Sequence, residues 1–303
     1  MPEKKEIKYS FTRVDCYEQC PFKYLLKYID SNYVSISAIA LDVGTTIHDN
    51  EEKIANAIKN GEPIDYVKLK NDLIVKMAAL EKKFPKDWNE PDKVNRYYKE
   101  KFFSYLTSGI YRLEKYCKDH PELEIVGAEI PFKTTICGKL FGGKIDRLFR
   151  NKVTGEYLCQ DIKTYPTEVE EEHLTTPLQF VVYTAAIKEM YNVTTDEVKC
   201  QFDLPFCEIS QDAGTNGFMN RGLKKIEKLF EGIDNQEFKP KPSRLCYWCE
   251  YSATKPDNPK CNHLCPYYML WTKDQPKNFS VNEKWESLEA YRKKLEETAE
   301  KTV

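Results

Sequence analysis

At residue 122 the spacing of apolar residues changes from helical to alternating. ELEIVGAEIPFKTTIC, KLFGGKIDRLFR and GEYLCQDIKTY, between residues 122 and 165, each alternate apolar and polar positions. That is the period of a strand with one face buried. NKVTGE, between the last two, supplies a hairpin turn, so three antiparallel strands are predicted. Side chains alternate along a strand, so Asp161 and Lys163 share a face with Cys159, and hairpin pairing sets Asp146 alongside Asp161. Two carboxylates and one ammonium converge. Hard carboxylate oxygens suit Mg²⁺ or Mn²⁺, and such an ion activates water and polarises a phosphoryl oxygen. A lysine beside it can orient the attacking water and offset developing negative charge. The set suits phosphodiester hydrolysis. A D-x-K tripeptide alone reads as a surface ion pair; Asp146 at hairpin distance gives it more weight.

Around this block the chain reads as helical. Residues 10–30, SFTRVDCYEQCPFKYLLKYID, offer Ser10 or Thr12 as a cap and an apolar stripe through Tyr24, Leu25 and Tyr28. In DVGTTIHDNEEKIANAIK, Gly44 is expected to break the chain, Thr45 or Thr46 to cap, and a new helix to carry His48 near its start. Residues 64–118 read as two or three helices within an insertion over 50–120 that covers the groove. PLQFVVYTAAIKEMY, 177–191, is a helix with Pro177 in its first turn. Its Gln179 and Tyr183 lie four apart, on one face. VKCQFDLPFCEI reads as one further strand, 221–232 as a basic amphipathic helix, and 240–268 as irregular and Cys-rich. The expected fold is α/β: a central mixed β-sheet flanked by helices, with one domain over 1–281 and a polar helical tail over 282–303.

A length of 303 residues allows a large buried core, and a net charge of −2 excludes a bulk basic field. MPEKKEIKYS lacks an apolar signal core, and no run reaches membrane-spanning length. An intracellular, cytoplasmic protein without membrane contact is the expectation; a bacterial, archaeal or viral source fits equally. In a reducing compartment eleven cysteines point to metal or iron–sulfur ligation rather than disulfides. Cys246 and Cys249 form C-Y-W-C, and Cys261 and Cys265 follow in C-N-H-L-C-P. Those four could hold Zn²⁺ locally, with His263 as a further candidate. Cys117, Cys137, Cys159, Cys200 and Cys207 are scattered and read as buried small hydrophobes.

Asp146 followed by Asp161-Ile-Lys163-Thr164 resembles the PD-(D/E)xK nucleases, in particular their RecB-like exonuclease branch. GTTIHD, FGGKIDRL, QFVVY and SFTRVDCYEQCPFKYLLKYI resemble further motifs of that branch in the same order, across residues 10–265. The resemblance implies that Asp146, Asp161 and His48 hold the catalytic metal. It assigns Lys163 to the attacking water and the scissile phosphate, and Gln179 and Tyr183 to DNA contact and site support. Glu129, in GAEIPF, reads as a solvated strand residue or an outlying acid. In iron–sulfur members of the branch one ligand comes from an N-terminal Cys-Pro and three from a C-terminal cluster. Cys20, Cys246, Cys249 and Cys265 fit that pattern for a [4Fe–4S] cluster, with Cys261 as the alternative to Cys265 and Cys16 competing with Cys20. The gap after Cys249 is longer than the family pattern.

The implied activity is a metal-dependent DNA exonuclease or end-processing nuclease in DNA repair or recombination. The alternatives are a non-catalytic DNA-binding or assembly subunit on the same fold, and a zinc-binding interaction protein. No base-reading pattern occurs, so sequence-independent DNA binding is expected. Lys4, Lys5, Lys8, Lys23 and Lys27, then Arg221, Lys224, Lys225 and Lys228, then Lys239, Lys241 and Arg244, could track phosphates or be solvated faces. Phe22, Tyr24, Tyr247 and Trp248 could stack on bases or, more simply, pack around the cluster. No GxxxxGK[ST] loop occurs, so ATP-driven unwinding would need a helicase or recombination partner.

Overall fold

A computed structural model describes residues 9–33, 38–90, 97–165, 167–252, 264–267, 269–272, 275–280 and 285–300. In chain order the elements begin with α1 (Phe11–Gln19), α2 (Pro21–Tyr24) and a π-turn (Leu25–Ile29). Next come α3 (Ile39–Asn60), α4 (Tyr66–Lys83), α5 (Pro85–Asn89), α6 (Tyr98–Thr107), a 3-10 turn (Gly109–Tyr111) and α7 (Arg112–Asp119). The sheet region holds β1 (Leu123–Ile136), β2 (Lys139–Asn151), β3 (Tyr157–Ile162), α8 (Glu171–Thr175), α9 (Leu178–Tyr191), β4 (Val198–Leu204) and β5 (Ile209–Ala213). The chain continues through α10 (Phe218–Asp234), a 3-10 turn (Arg244–Trp248), β6 (Met269–Thr272), β7 (Gln275–Ser280) and α11 (Leu288–Glu300). Two compact units result, one of residues 1–9 and 37–224, the other of residues 10–36 and 225–303.

The first unit is built on a mixed five-stranded sheet, order β1-β2-β3-β4-β5, flanked by helices. The three alternating segments are its antiparallel part, as the period predicts. Asn151 makes the β2–β3 turn: its Oδ1 accepts from the backbone N–H of Val153 at 2.8 Å and Thr154 at 3.0 Å. Gly155 follows at φ 80°, where only glycine sits without strain. β3 then pairs parallel with β4. Parallel neighbours need a long crossover, and α8 and α9 lie within it. α9 is apolar on nearly every side and is buried accordingly, with Phe180, Val181, Val182, Ala186 and Ile187 all inaccessible. A second apolar cluster joins Val43, Ile47 and Ile54 of α3 to Leu73, Phe102, Ile110 and Phe149.

Three local expectations are corrected here. Gly44 does not break the chain: α3 runs through it, and Thr45 and Thr46 bond back to Leu41 O at 3.0 Å and Asp42 O at 2.8 Å instead of capping. A mid-helix glycine costs about 1 kcal/mol, and burial of Val43, Ile47 and Ile54 on the same helix outweighs that. VKCQFDLPFCEI is not one strand: β4 ends at Leu204, before Pro205, and β5 begins at Ile209, its polar ISQDA showing no apolar alternation. The region read as two or three helices holds four, because Pro85 opens a new one directly after α4.

In the second unit Ser10 caps α1, accepting from Arg13 N at 3.3 Å. Pro21 cannot donate a helical bond, so α1 ends with Cys20 extended and α2 starts afresh. Phe22 is fully buried, its ring edge-on to Tyr267, Trp285 and Tyr291 at 5.0–5.5 Å. The β6–β7 hairpin has no counterpart in the sequence reading. Among the described residues no helix is long and apolar enough to cross a membrane.

Candidate active site and cysteine site

The β2–β3 hairpin pairs Arg147 with Gln160, which sets Asp146 and Asp161 side by side at the end of the ladder. Asp146 Oδ2 accepts from Ile162 N at 2.8 Å, so the carboxylate is fixed by the neighbouring strand's backbone. His48, on α3, sits above the same point. Its Nε2 lies 2.9 Å from Ile162 O. A carbonyl only accepts, so Nε2 carries a proton and a neutral ring presents its Nδ1 lone pair the other way. That lone pair faces Glu129 Oε1 at 3.6 Å and Asp146 Oδ2 at 3.7 Å. The ligating atoms of His48, Glu129 and Asp146 lie within 4.8 Å of one another. Three electron-rich atoms meeting in this way require a cation or an extra proton between them.

Asp161 adds to that demand. It is fully buried, and neither carboxylate oxygen accepts an aligned hydrogen bond. Lys163 lies just beyond the end of β3, with Nζ 2.7 Å from Asp161 Oδ2, so the opposing charge reaches the carboxylate as an ion pair. Burial drives the Asp146 pKa up to about 7, and the charge of Asp161 adds to the rise. Burial works to lower the Lys163 pKa, but Asp161 and Asp146 outweigh it and the ammonium is retained. Lys163 Nζ donates to Gln179 Oε1 at 3.0 Å, Gln179 Nε2 donates to Tyr183 OH at 2.8 Å, and Tyr183 OH donates to Asp146 Oδ1 at 3.4 Å. The spacing of four on α9 thus gives one directed chain between lysine and acid. Nitrogen and carboxylate donors of this kind fit Mg²⁺ or Mn²⁺.

His48, Asp146, Asp161, Lys163, Gln179 and Tyr183 are therefore brought together. Sequence reasoning undervalued Glu129. It takes a left-handed backbone, φ 49°, which costs a residue with a side chain of the order of 1–3 kcal/mol. Its carboxylate is shared between His48 and Lys144, whose Nζ is 3.3 Å away. Strain held beside converging acids marks a functional position.

In the second unit Cys20, Cys246, Cys249 and Cys265 line one cavity together with Lys241 and Tyr251. Cys20 Sγ accepts from Lys241 N at 3.5 Å, and Cys246 Sγ from Ser243 N at 3.4 Å. Burial raises the Cys249 thiol to about 11 and lifts Cys265 further, so neither ionises without a bound metal. Cys16 is buried but does not line the cavity, while Cys261 and His263 lie outside the described residues. Of the scattered cysteines, Cys159 and Cys200 are buried as expected, but Cys137 is exposed and Cys117 and Cys207 are half-buried. Each of those three sits near the end of an element, where packing is incomplete.

Five of the nine proposed phosphate-tracking cations that lie among the described residues are engaged within the protein. Lys23 and Lys27 both bind Glu250, at 2.9 and 3.1 Å. Lys225 pairs with Glu18, Lys241 donates to Glu18 O at 2.9 Å, and Arg221 bonds Thr175 O, Thr176, Thr215 and Asn216 O. Lys4, Lys5 and Lys8 lie outside the described residues. Phe22 and Tyr24 are buried and face no solvent.

No curated protein matches the chain in sequence. Among solved structures it resembles a candidate exonuclease from Eubacterium rectale, with 11% identity, 80% of this chain and 87% of that chain covered, and a TM-score of 0.44. Residues 8–254 match the sequence profile of the PD-(D/E)XK nuclease superfamily. That span contains both strand carboxylates, the lysine two residues beyond the second, and the sheet that carries them, and the chain belongs to the PD-(D/E)XK nuclease superfamily.

Proposed function

We propose that this chain is a RecB-like, divalent-metal-dependent deoxyribonuclease that hydrolyses phosphodiester bonds from DNA ends. The observation that carries the reading is the meeting of His48, Glu129 and Asp146 beside a fully buried Asp161 whose charge is met by the Lys163 ammonium alone among the described residues. His48, Asp146 and Asp161 would hold Mg²⁺ or Mn²⁺, with Glu129 as a further oxygen donor. The ion supplies charge neutralisation at the phosphate and acidifies a water. Lys163 keeps an ammonium beside Asp161, where it can orient the attacking water and offset charge on the phosphorane-like transition state. Gln179 and Tyr183 hold that ammonium and Asp146 in fixed relation. DNA is taken as substrate without base readout. A place in repair or recombination beside a helicase follows from the RecB-like resemblance.

The cysteine cavity suits a structural [4Fe–4S] cluster held by Cys20, Cys246, Cys249 and Cys265. Four thiols bordering a cavity fit a polyatomic group better than a single Zn²⁺. Tying residue 20 to residue 246 would remove chain entropy worth about 5 kcal/mol by the cross-link argument.

The test uses end-labelled linear DNA and its closed-circular form with Mn²⁺, comparing wild type with Asp161→Asn. Loss of the linear form alone, with an inert variant, supports the reading. Cleavage of circles would make the activity endonucleolytic. Metal-loaded wild type that binds DNA yet cuts nothing would make the chain a binding subunit and refute the catalytic role.

A further inference from the structure

Behind the proposed metal ligands lies a second set of charges that the nuclease chemistry does not use. Arg147 is 1% exposed, and its NH1 lies 3.2 Å from Glu51 Oε2 while its NH2 pairs with Asp203 Oδ2. Arg112 NH1 pairs with Asp203 Oδ1, and its NH2 bonds Ser210 Oγ. Tyr105 OH donates to Glu51 Oε1 at 2.7 Å, and Asn50 Nδ2 donates to Tyr105 OH at 2.7 Å. Two guanidinium groups meet two carboxylates, and all four carboxylate oxygens are engaged. Arg147 Nε is buried without a hydrogen-bond partner.

A network this deep is a poor source of stability. Desolvating buried charges costs several kcal/mol per ion, and apolar residues of the same volume do as well or better. Three of its members, Arg147, Glu51 and Asp203, share another property, in that each adjoins a residue of the site. Arg147 follows Asp146 on β2. Glu51 is three residues beyond His48 on α3, and so on the same side of that helix. Asp203 is the register partner of Ile162, and its carbonyl accepts from Lys163 N at 2.8 Å. Arg112 and Tyr105 come from α7 and α6, in the helical insertion. A planar guanidinium fork can bridge two carboxylates in one geometry, which a lysine cannot.

We propose that Glu51, Arg147, Asp203 and Arg112 form a positioning brace. It sets the distance between His48 on α3 and the Asp146–Ile162–Lys163 backbone, and makes the helical insertion a fixed wall of the metal site. This rests on the nuclease reading. The four are positioning residues: Glu51, Arg147 and Asp203 act through the site residues beside them, and Arg112 acts through Asp203.

The test compares wild type with the double variant Glu51→Gln/Arg147→Met, which leaves Arg112 and Asp203 as a neutral pair, and with Arg147→Lys, which keeps the charge and loses the fork. Mn²⁺ affinity is measured by calorimetry on the metal-free protein, beside thermal melting and the kcat and KM for linear DNA. Both variants are expected to bind Mn²⁺ about 10–100-fold more weakly. Their kcat should fall with KM for DNA unchanged, and the double variant should melt within a few degrees of wild type. Folded variants with wild-type Mn²⁺ affinity and kcat would overturn the brace and leave the network a packing feature. Should the double variant fail to fold, Arg147→Lys decides by the same readouts. Wild type that binds no Mn²⁺ overturns the nuclease reading itself, and the brace with it.

Discussion

Asp146→Asn should make the metal-free protein more stable at neutral pH, and the gain should depend on pH. The Asp146 carboxyl has a pKa of about 7 against an unperturbed 3.8. The difference is 3.2 units, and at about 1.4 kcal/mol per unit this corresponds to about 4 kcal/mol. The sign follows from proton uptake. Between pH 3.8 and about 7 the folded state keeps a proton that the unfolded state has released, so stability falls as pH rises through that window. Below it both states are protonated, and asparagine and aspartic acid are nearly equivalent. The advantage of the variant should therefore open near pH 4, grow by about 1.4 kcal/mol per pH unit, and level off above about 7. Its plateau of about 4 kcal/mol is an upper bound, because Asp161 and His48 share the charge. Urea melts in EDTA at several pH values measure it. Adding Mn²⁺ should reverse the order, stabilising wild type and leaving the variant unmoved. A variant that is less stable than wild type at pH 8 in EDTA, or a difference flat with pH, would refute the account of Asp146 as a carboxyl held protonated until a cation arrives.

Other outcomes follow from the same geometry. Lys163→Met should lower kcat about 10²–10³-fold, whereas Gln179→Leu, which frees the ammonium without removing it, should cost about tenfold; single-turnover cleavage separates them. Glu129→Gly should relieve the left-handed backbone and gain about 1 kcal/mol of stability, while weakening Mn²⁺ binding about tenfold. Retained Mn²⁺ affinity would remove Glu129 from the ligand set. Cys20→Ser and Cys265→Ser should lose iron and acid-labile sulfide and melt earlier, whereas Cys16→Ala should keep the iron. Iron retained by Cys20→Ser would redraw the ligand set.

The antiparallel block was legible from the change of period at residue 122 and the NKVTGE turn, although β3 and the middle of β2 are buried on both faces, and α9 because its length and Pro177 left little choice. The meeting of Asp146, Asp161 and Lys163 was legible from the hairpin alone. His48 was placed on a helix correctly but for the wrong reason: local breaking by Gly44 lost to burial along α3. Glu129 could have been found by counting. The Cys137-Gly138 turn pairs Ile136 with Lys139, and seven steps back sets Glu129 opposite Asp146. Its left-handed φ has no trace in the sequence. The burial of Arg147 has no trace in the sequence, because an alternating pattern does not distinguish a solvated charge from one buried against distant partners. The ion pairs of Lys23 and Lys27 with Glu250, and of Lys225 with Glu18, were not legible for a related reason, since the partners meet only once the chain has folded.

The directed contacts of the site close over unequal lengths of chain. Asp146 meets Ile162 across 16 residues, and Lys163 meets Gln179 across 16. His48 meets Ile162 across 114. Closing the longer loop costs about 2 kcal/mol more in chain entropy. The two acids and the lysine thus gather from their own neighbourhood in the chain, whereas the histidine depends on the docking of α3. By loop closure alone, the docking of His48 is the costliest of these contacts to form, so anything that loosens α3 should cost the site its histidine before its acids.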